Sequence, residues 1–588
     1  MRDAFIHVAL LLWTALVWTL GGFRICSARL RREEPLLVVA TSAGLGAGLT
    51  AILLTVVAAL RLLTPAVIWG IQLGWTVLAI SAAHRLAAPL LRTWRAHGGR
   101  PLRAWRVCLG VLLAITALAT LLTTLAPPTS LDATVYHLRI PREFLRMHRL
   151  APIRDDVRMF QPLYVQMLFA SAMGLKDDIL AALLHWFLGV ATALATGAWA
   201  RRLGARSSLA AVAIFVLSPL VIWEATSCFI DFGLTLATAL GLLWASRPDR
   251  GTPALALATL FAGLAAGSKF TGCASAALIG LMAALALWPD RRAALIRLLV
   301  VGTGALVVAA PWYIRNAILT GNPVYPLANP LFGGPPVPLS SWHYGFGHDL
   351  LHLLTSPFDL LVRGDEFDSG WATGPAYLAL IPVALLTRRR TRIRLAAAGV
   401  IALHWLFWFY SSPQTRLLLP IFPLAAALAS LGLEKALASG FWTRWAAYGL
   451  LAISFGVGLG TALITARGSA RMALGLESRD AFLHRMTWDY EAYQQTNRRL
   501  SSSARLAVFG VSNVYYLSPP TTVVDHDNTV KLRAKGFSHL LRVRNCESDE
   551  LHAGEAVIWH GKYMNPGSRF QGTYPDHHLC AQLVDLAP

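Results

Sequence analysis

Long apolar runs recur along the chain from residue 4 to about residue 466, with polar connections between them, and many approach the roughly 20 residues that a helix needs to cross a bilayer. The pattern predicts spans at about 4–22, 36–60, 66–83, 107–125, 177–199, 208–224, 231–246, 253–267, 272–288, 294–313, 372–387, 395–411, 416–434 and 443–465. The expected fold class is therefore an α-helical polytopic membrane protein with about 14 transmembrane helices. The run from Ala4 to Leu20 has the charged flank of a signal peptide. No Ala-x-Ala cleavage pattern follows it and an Arg-rich stretch does, so it reads as a retained first span. The segment 253–267 is short for a crossing and leaves a re-entrant reading open.

Three regions separate. Residues 1–106 hold three spans and end in a basic connection from His84 to Arg106. Residues 107–466 carry the other spans and two large loops, 126–176 and 314–371. Proline-rich patches, Asn322 to Pro326 and Gly333 to Pro338, disfavour regular structure in the second loop. Residues 467–588 contain no spanning run and read as a small α/β domain. Ser478 to Leu500 is expected as a helix capped by Ser478, and Arg505–Phe509, Thr521–Val524, His539–Val543 and Ala556–His560 are expected as strands.

Composition agrees, since 55% of residues are hydrophobic and only 14% charged, against about 25% charged in soluble domains. The net charge of +21 invites a nucleic-acid partner until it is located. Nearly all of it falls in alternate connections, including Arg388, Arg389, Arg390, Arg392 and Arg394, while the other loops and the tail are close to neutral. That asymmetry is the positive-inside rule. It puts the N-terminus, both large loops and the tail on the outer face, and no nucleic-acid partner is expected. Of six cysteines, Cys26, Cys108, Cys228 and Cys273 lie in or beside spans, whereas Cys546 and Cys580 share the tail, where an oxidising compartment allows pairing.

The first large loop opens with Asp132, Tyr136 and His137, followed by Arg139, Arg142, Glu143, Asp155, Asp156 and Arg158. An Asp at the mouth of a bundle is a candidate general base for a hydroxyl acceptor, and His137 a candidate to orient it, bind a metal or contact phosphate. The plain alternative is a solvated loop of mutually paired charges. Asp231 opens an apolar span, where an ionisable group is functional by default unless it serves as a helix N-cap. Lys269 stands between glycines in a chain that otherwise uses arginine. Its ammonium suits a phosphate, and the alternative is a snorkelling lysine. Arg315 and Arg416 flank spans as candidate phosphate forks or ordinary interfacial anchors. His343, His348, Asp349 and His352 have loose metal-like spacing without the glutamate of His-Glu-x-x-His, so a divalent metal is left open.

Taken in order, these stretches resemble the GT-C fold glycosyltransferases that use polyprenyl-phosphate sugars. The resemblance is to family 39-like membrane enzymes, related to protein O-mannosyltransferases and the aminoarabinose transferase of lipid A. It rests on Asp132-x-x-x-Tyr136-His137-Leu with Pro141, Gln161-Pro-Leu-Tyr164, and Asp231 opening a span. Further along come Gly-Leu-Ala-Ala-Gly-Ser-Lys269-Phe, Pro311-Trp-Tyr-Ile-Arg315-Asn with Thr320-Gly-Asn-Pro-Val-Tyr-Pro326, and Arg416-Leu-Leu-Leu-Pro420. They cover about residues 107–435, so the three spans before residue 107 look like an addition.

The resemblance implies a hexosyl- or pentosyltransferase. Asp132, His137 and Asp231 are then the candidate catalytic residues, and Lys269, Arg315 and Arg416 the donor phosphate-binding ones. Tyr136, Arg139 and Tyr164 are the candidate substrate-binding residues. The partners implied are a polyprenyl-phosphate-linked sugar, a lipid, glycan or protein acceptor, and membrane lipids. The implied location is the bacterial inner membrane, with the site and the tail extracytoplasmic. The expected chemistry is a single displacement that inverts the anomeric carbon, with Asp132 as base. A transporter or flippase of lipid-linked sugars is the alternative. It predicts charges at the membrane midplane and repeated halves, and the sequence has neither. An envelope assembly protein acting through its tail is a further class.

Overall fold

The computed structural model describes residues 2–30, 33–83, 104–153, 156–248, 252–336, 344–368, 373–386, 391–545, 555–564 and 578–586. Every predicted span coincides with a helix. Among the described residues, eight helices are individually long and apolar enough to cross a membrane, or nine if one bent pair is a single span. Others, such as Asp231–Ala245, Pro253–Ala266 and Gly272–Leu285, are shorter apolar helices packed among them. The span expected at 208–224 is built from two helices. Ser208–Val216 and Pro219–Thr226 meet at a 66° bend, because Pro219 starts a new helix and cannot continue the old one.

The bundle is built around two helices buried along most of their length, Asp178–Arg202 and Thr415–Ala438. The N-terminal helices share its hydrophobic core. Arg2–Leu30 lies against Pro35–Ala59 closely enough that a Cβ on Gly46 would stand 2.2 Å from the Trp18 carbonyl oxygen. The close approach of two such helices is what small residues permit in a membrane. The second helix also touches the bundle directly, where Trp244 Nε1 donates to Thr41 Oγ1 at 3.0 Å.

Several segments of the large loops are helical where loop was expected, with Arg139–Arg146, Tyr164–Leu175 and Leu350–Val362 the longest. Tyr164–Leu175 is buried in the bundle. Leu350–Val362 turns Leu350, Leu351, Leu354 and Phe358 outward.

The C-terminal domain is a five-stranded sheet, β1 Leu506–Phe509, β2 Thr521–Val523, β3 His539–Asn545, β4 Ala556–Met564 and β5 His578–Asp585, in the order β2-β1-β3-β5-β4. β1 runs parallel to β2 and β3, while β5 is antiparallel to β3 and β4. Sequence reading placed the first four and missed β5, although β5 holds β3 and β4 together. Its segment has no run of β-branched residues to mark it. The expected single helix at 478–500 is two, Arg479–Met486 and Tyr490–Arg499, with Ser478 capping the first as expected. Cys580 is disulfide-bonded, and its expected partner Cys546 lies outside the described residues.

This domain is fastened to the bundle rather than tethered beside it. Arg479 pairs with the buried Asp178 at 2.6 Å, and the Tyr516 hydroxyl donates to the Pro128 carbonyl at 2.5 Å. Arg142 donates to the carbonyls of Tyr515 and Leu517.

Candidate active site

The site forms where four pieces of backbone meet: the first large loop, the start of Asp231–Ala245, the turn before Gly272–Leu285, and the short Thr415–Ile421 helix. Asp132 precedes a single π-helical turn, Ala133–His137, which puts Tyr136 back over its carboxylate. The Tyr136 hydroxyl donates to Asp132 Oδ2 at 3.1 Å. Arg416 Nη1 donates to the same oxygen at 2.5 Å. Oδ1 receives no hydrogen bond from the described residues, and the side chain remains 24% exposed. One oxygen is therefore clamped and the other is open.

Arg416 has carboxylates on two sides, because its Nε lies 3.3 Å from Asp368 Oδ2, and its guanidinium sits over the Phe229 ring at 5.5 Å. Thr415 fixes this arrangement by donating to the Phe367 carbonyl at 3.0 Å, with Phe367 stacked on Trp408. Asp368 has φ +90°, a region where residues other than glycine rarely sit and which gathers at functional sites.

Burial is the largest single influence and raises the Asp132 carboxyl, but Arg416, His137 and Lys269 act together against it and hold the group at about 2. Burial raises Asp368 above the ordinary 3.8, which Arg416 only partly opposes. Burial, reinforced by Asp132, pushes the Tyr136 phenol well above 10 and keeps it a donor. Burial also keeps His137 neutral, well below 6.5.

His137 lies beside Tyr136, with ring centroids 4.0 Å apart, but it faces Gln166, whose amide is 3.2 Å from Nδ1. It makes no hydrogen bond to Asp132, and its Nε2 has no partner among the described residues. Arg158, named in the first loop but given no role there, covers the Tyr136 ring at 4.7 Å.

Asp231 stands in the first turn of its helix but does not cap it. Instead Oδ1 lies 3.4 Å from Lys269 Nζ, and Oδ2 is buried with no partner among the described residues. The turn carrying Lys269 is tight because Gly272 has no Cβ, which would stand 1.9 Å from the Ala265 carbonyl oxygen. His185 supports the start of the Asp231 helix. Its Nδ1 bonds the Ser227 carbonyl at 2.9 Å and its Nε2 accepts from the Phe232 N–H at 3.3 Å.

Glu224, in the bent span, was missed. It is fully buried and neither carboxylate oxygen has a partner among the described residues. It interacts electrostatically with Asp231, Arg416, Lys269 and Asp132. An acid inside an apolar run is the signal that marks it.

The remaining candidates sit elsewhere. Arg315 is buried and donates to the Met159 carbonyl at 2.9 Å, with Nε and Nη2 unpartnered among the described residues. Beside it Asn316 holds the Phe160 carbonyl at 2.5 Å, so the pair grips the end of the first loop. The Tyr164 hydroxyl donates to the Val308 carbonyl at 2.5 Å and its N–H to the Gly267 carbonyl at 3.0 Å, which steadies the Lys269 turn from within the core. Arg139 donates to the Thr521 carbonyl of the C-terminal domain at 3.3 Å.

Among the described residues no group of three metal-ligating side chains converges. His352 and Asp349 make a pair at 2.5 Å, and His348 faces Phe409 and Tyr410. His343, Asp155 and Arg388 to Arg390 lie outside the described residues.

This buried cluster of acids and cations lies between the first and second large loops, and the fold that carries it is of the GT-C class. The chain superposes on the crystal structure of ArnT from Cupriavidus metallidurans in the apo state with a TM-score of 0.50, at 16% identity over 81% of this chain and 97% of that one. The undecaprenyl phosphate-bound form of the same protein gives 0.49 at 16% identity, over 82% and 99%. The arabinofuranosyltransferase AftD from Mycobacteria gives 0.42 at 14% identity, over 80% of this chain and 41% of that one. No protein-family model and no curated protein matches the sequence.

Proposed function

We propose that this chain is a membrane glycosyltransferase that moves a sugar from a polyprenyl-phosphate donor to an envelope acceptor. The observation that carries the reading is the carboxylate of Asp132, with Oδ2 held by Arg416 and Tyr136 and Oδ1 left open. A group so fixed is placed to receive a proton from a hydroxyl within hydrogen-bond reach. The acceptor oxygen attacks the anomeric carbon, and the bond from that carbon to the phosphate oxygen breaks. The polyprenyl phosphate leaves with the electron pair while Asp132 Oδ1 takes the acceptor's proton. One displacement inverts the anomeric configuration.

At about 2 the Asp132 carboxyl is fully ionised and a weak base. Proton transfer then comes late, and the negative charge beside the anomeric carbon contributes by stabilising positive charge that develops there. Lys269 and Arg416 are the cations nearest the leaving phosphate in this reading. An apolar groove of about 210 Å³, lined by Leu418, Tyr377, Trp405 and Phe422, starts two residues beyond Arg416 and suits an isoprenoid chain. The charge pattern of the connections supports an extracytoplasmic site at a bacterial inner membrane.

The test is transfer from a synthetic polyprenyl-phosphate sugar by the purified full-length protein. Asp132→Asn is expected to lose activity by about 10³-fold or more, as when a group that acts in the transition state is removed. The anomeric centre of the product is expected to be inverted. Equal rates for Asp132→Asn and wild type, or retention of configuration, would overturn the mechanism. Movement of the intact lipid-linked sugar across vesicles without bond cleavage would favour a flippase.

A further inference from the structure

A cavity of about 740 Å³ adjoins the site, within the range of small-molecule pockets. Its walls come from the segment leading to Asp132, the bent span, the second loop and the long Phe441–Ala473 helix, and Phe482 of the C-terminal domain helps to close it. Four of the hydroxyls on these walls share one property. The hydroxyls of Thr123, Thr124, Thr226 and Thr465 donate to the carbonyls of Ala119, Thr120, Trp223 and Thr461 at 2.7–3.1 Å. With that hydrogen engaged, each presents oxygen lone pairs. Asp365 and Asp368 add two carboxylates, which accept only when ionised. No lysine or arginine is among the described residues lining the cavity.

A wall of acceptors with surplus negative charge is complementary to a ligand rich in O–H or N–H donors. Asp365 disfavours phosphate there, while the charge of Asp368 is shared with Arg416. Trp223 contributes an aromatic face, a surface on which an apolar ring face packs. The cavity is also continuous with the reacting groups, because Asp368 is one of the two carboxylates on Arg416, and Arg416 holds Asp132.

From these observations we infer that the cavity receives the acceptor, and that the acceptor end is a phosphate-free saccharide bearing hydroxyl or amine groups. The inference rests on the transferase reading and adds to it the chemical class of the second substrate.

The test uses the full-length protein in detergent and three matched probes: trehalose, its 6-amino-6-deoxy analogue and trehalose 6-phosphate. Calorimetric binding is expected for the first two at millimolar concentration or below, with the phosphate weaker by about tenfold or more. Gly468 lies on the wall with nothing within 4 Å of its Cβ position. A side chain there starts from open space, so Gly468→Leu is expected to weaken both sugars about tenfold, with the thermal midpoint read alongside as a check on folding. Asp365→Asn is expected to weaken the amine more than trehalose. Equal binding of the phosphate, no sugar binding at tens of millimolar, or full binding by Gly468→Leu would overturn the assignment.

Release of sugar to water from a polyprenyl-phosphate donor, measured without acceptor, separates the two readings. Donor hydrolysis without saccharide binding sinks the acceptor assignment alone. Saccharide binding with no donor turnover under any condition sinks the transferase reading, and the acceptor role with it.

Discussion

Asp132 illustrates how a single side chain is tuned by where its two oxygens point. Its drop from 3.8 to about 2 corresponds to about 2 kcal/mol of folding stability. The folded value is depressed, so this contribution is complete above about pH 4 and is lost as the pH falls through about 2. Removing the cation should reverse the balance, because burial alone raises the carboxyl. Arg416→Gln is therefore expected to move the acid limb of the pH–rate profile upward by about one unit or more, measured on residual transfer between pH 3 and 8. An unmoved limb would mean that Arg416 does not set the ionisation of Asp132. Sequence alone pointed to Asp132, Tyr136, Asp231, Lys269 and Arg416, because polar groups among apolar spans stand out one by one. It did not reveal that Arg416 bridges to Asp368. That pairing depends on a left-handed backbone residue in a long loop, and no local pattern marks either. Glu224 was visible as an acid in an apolar run, but its role in the cluster needs the bend that brings it there.

At the scale of elements, hydrophobic periodicity located the helices of the apolar runs, missed those within the large loops such as Tyr164–Leu175, and left endings and bends undetermined. The 66° break before Pro219 was hidden because the run is apolar on both sides of it. β5 was hidden for the opposite reason, since its residues carry no strong preference and the strand exists through its neighbours on both edges. The N-terminal pair offers a direct test of whether residues 1–106 are an accessory or part of the working fold. A valine at Gly46 places its Cβ against the Trp18 backbone, where no side-chain movement gives relief. Gly46→Val is expected to cost about 1–3 kcal/mol. The same helix sets Gly44 against Leu240 and Phe261, beneath the turns that carry Asp231 and Lys269. Transfer activity should therefore fall along with the thermal midpoint. An active protein with a lowered midpoint would mark the N-terminal spans as accessory.

For the molecule as a whole, the decisive feature is how the C-terminal domain is joined to the bundle. Asp178 is only 3% exposed and pairs with Arg479, and a buried charge stripped of its partner is costly. Arg479→Ala is expected to loosen the docking. Amide exchange in Arg139–Arg146 should quicken several-fold while β3 and β5 keep their protection. Unchanged exchange would show that the remaining contacts suffice. Composition disclosed that a polar domain ends the chain, but contacts between distant side chains such as Arg142 and Tyr515 leave no trace in a linear pattern. These contacts also have a bearing on control. Tyr516 grips Pro128, four positions before Asp132, and Arg142 grips the backbone beside Tyr516. The stretch of chain that positions Asp132 is thus strung between a membrane helix and a water-facing domain. On the proposed reading, whatever seizes that domain, an antibody fragment or another protein, pulls on Asp132 from a distance, so the site has a handle outside the bundle.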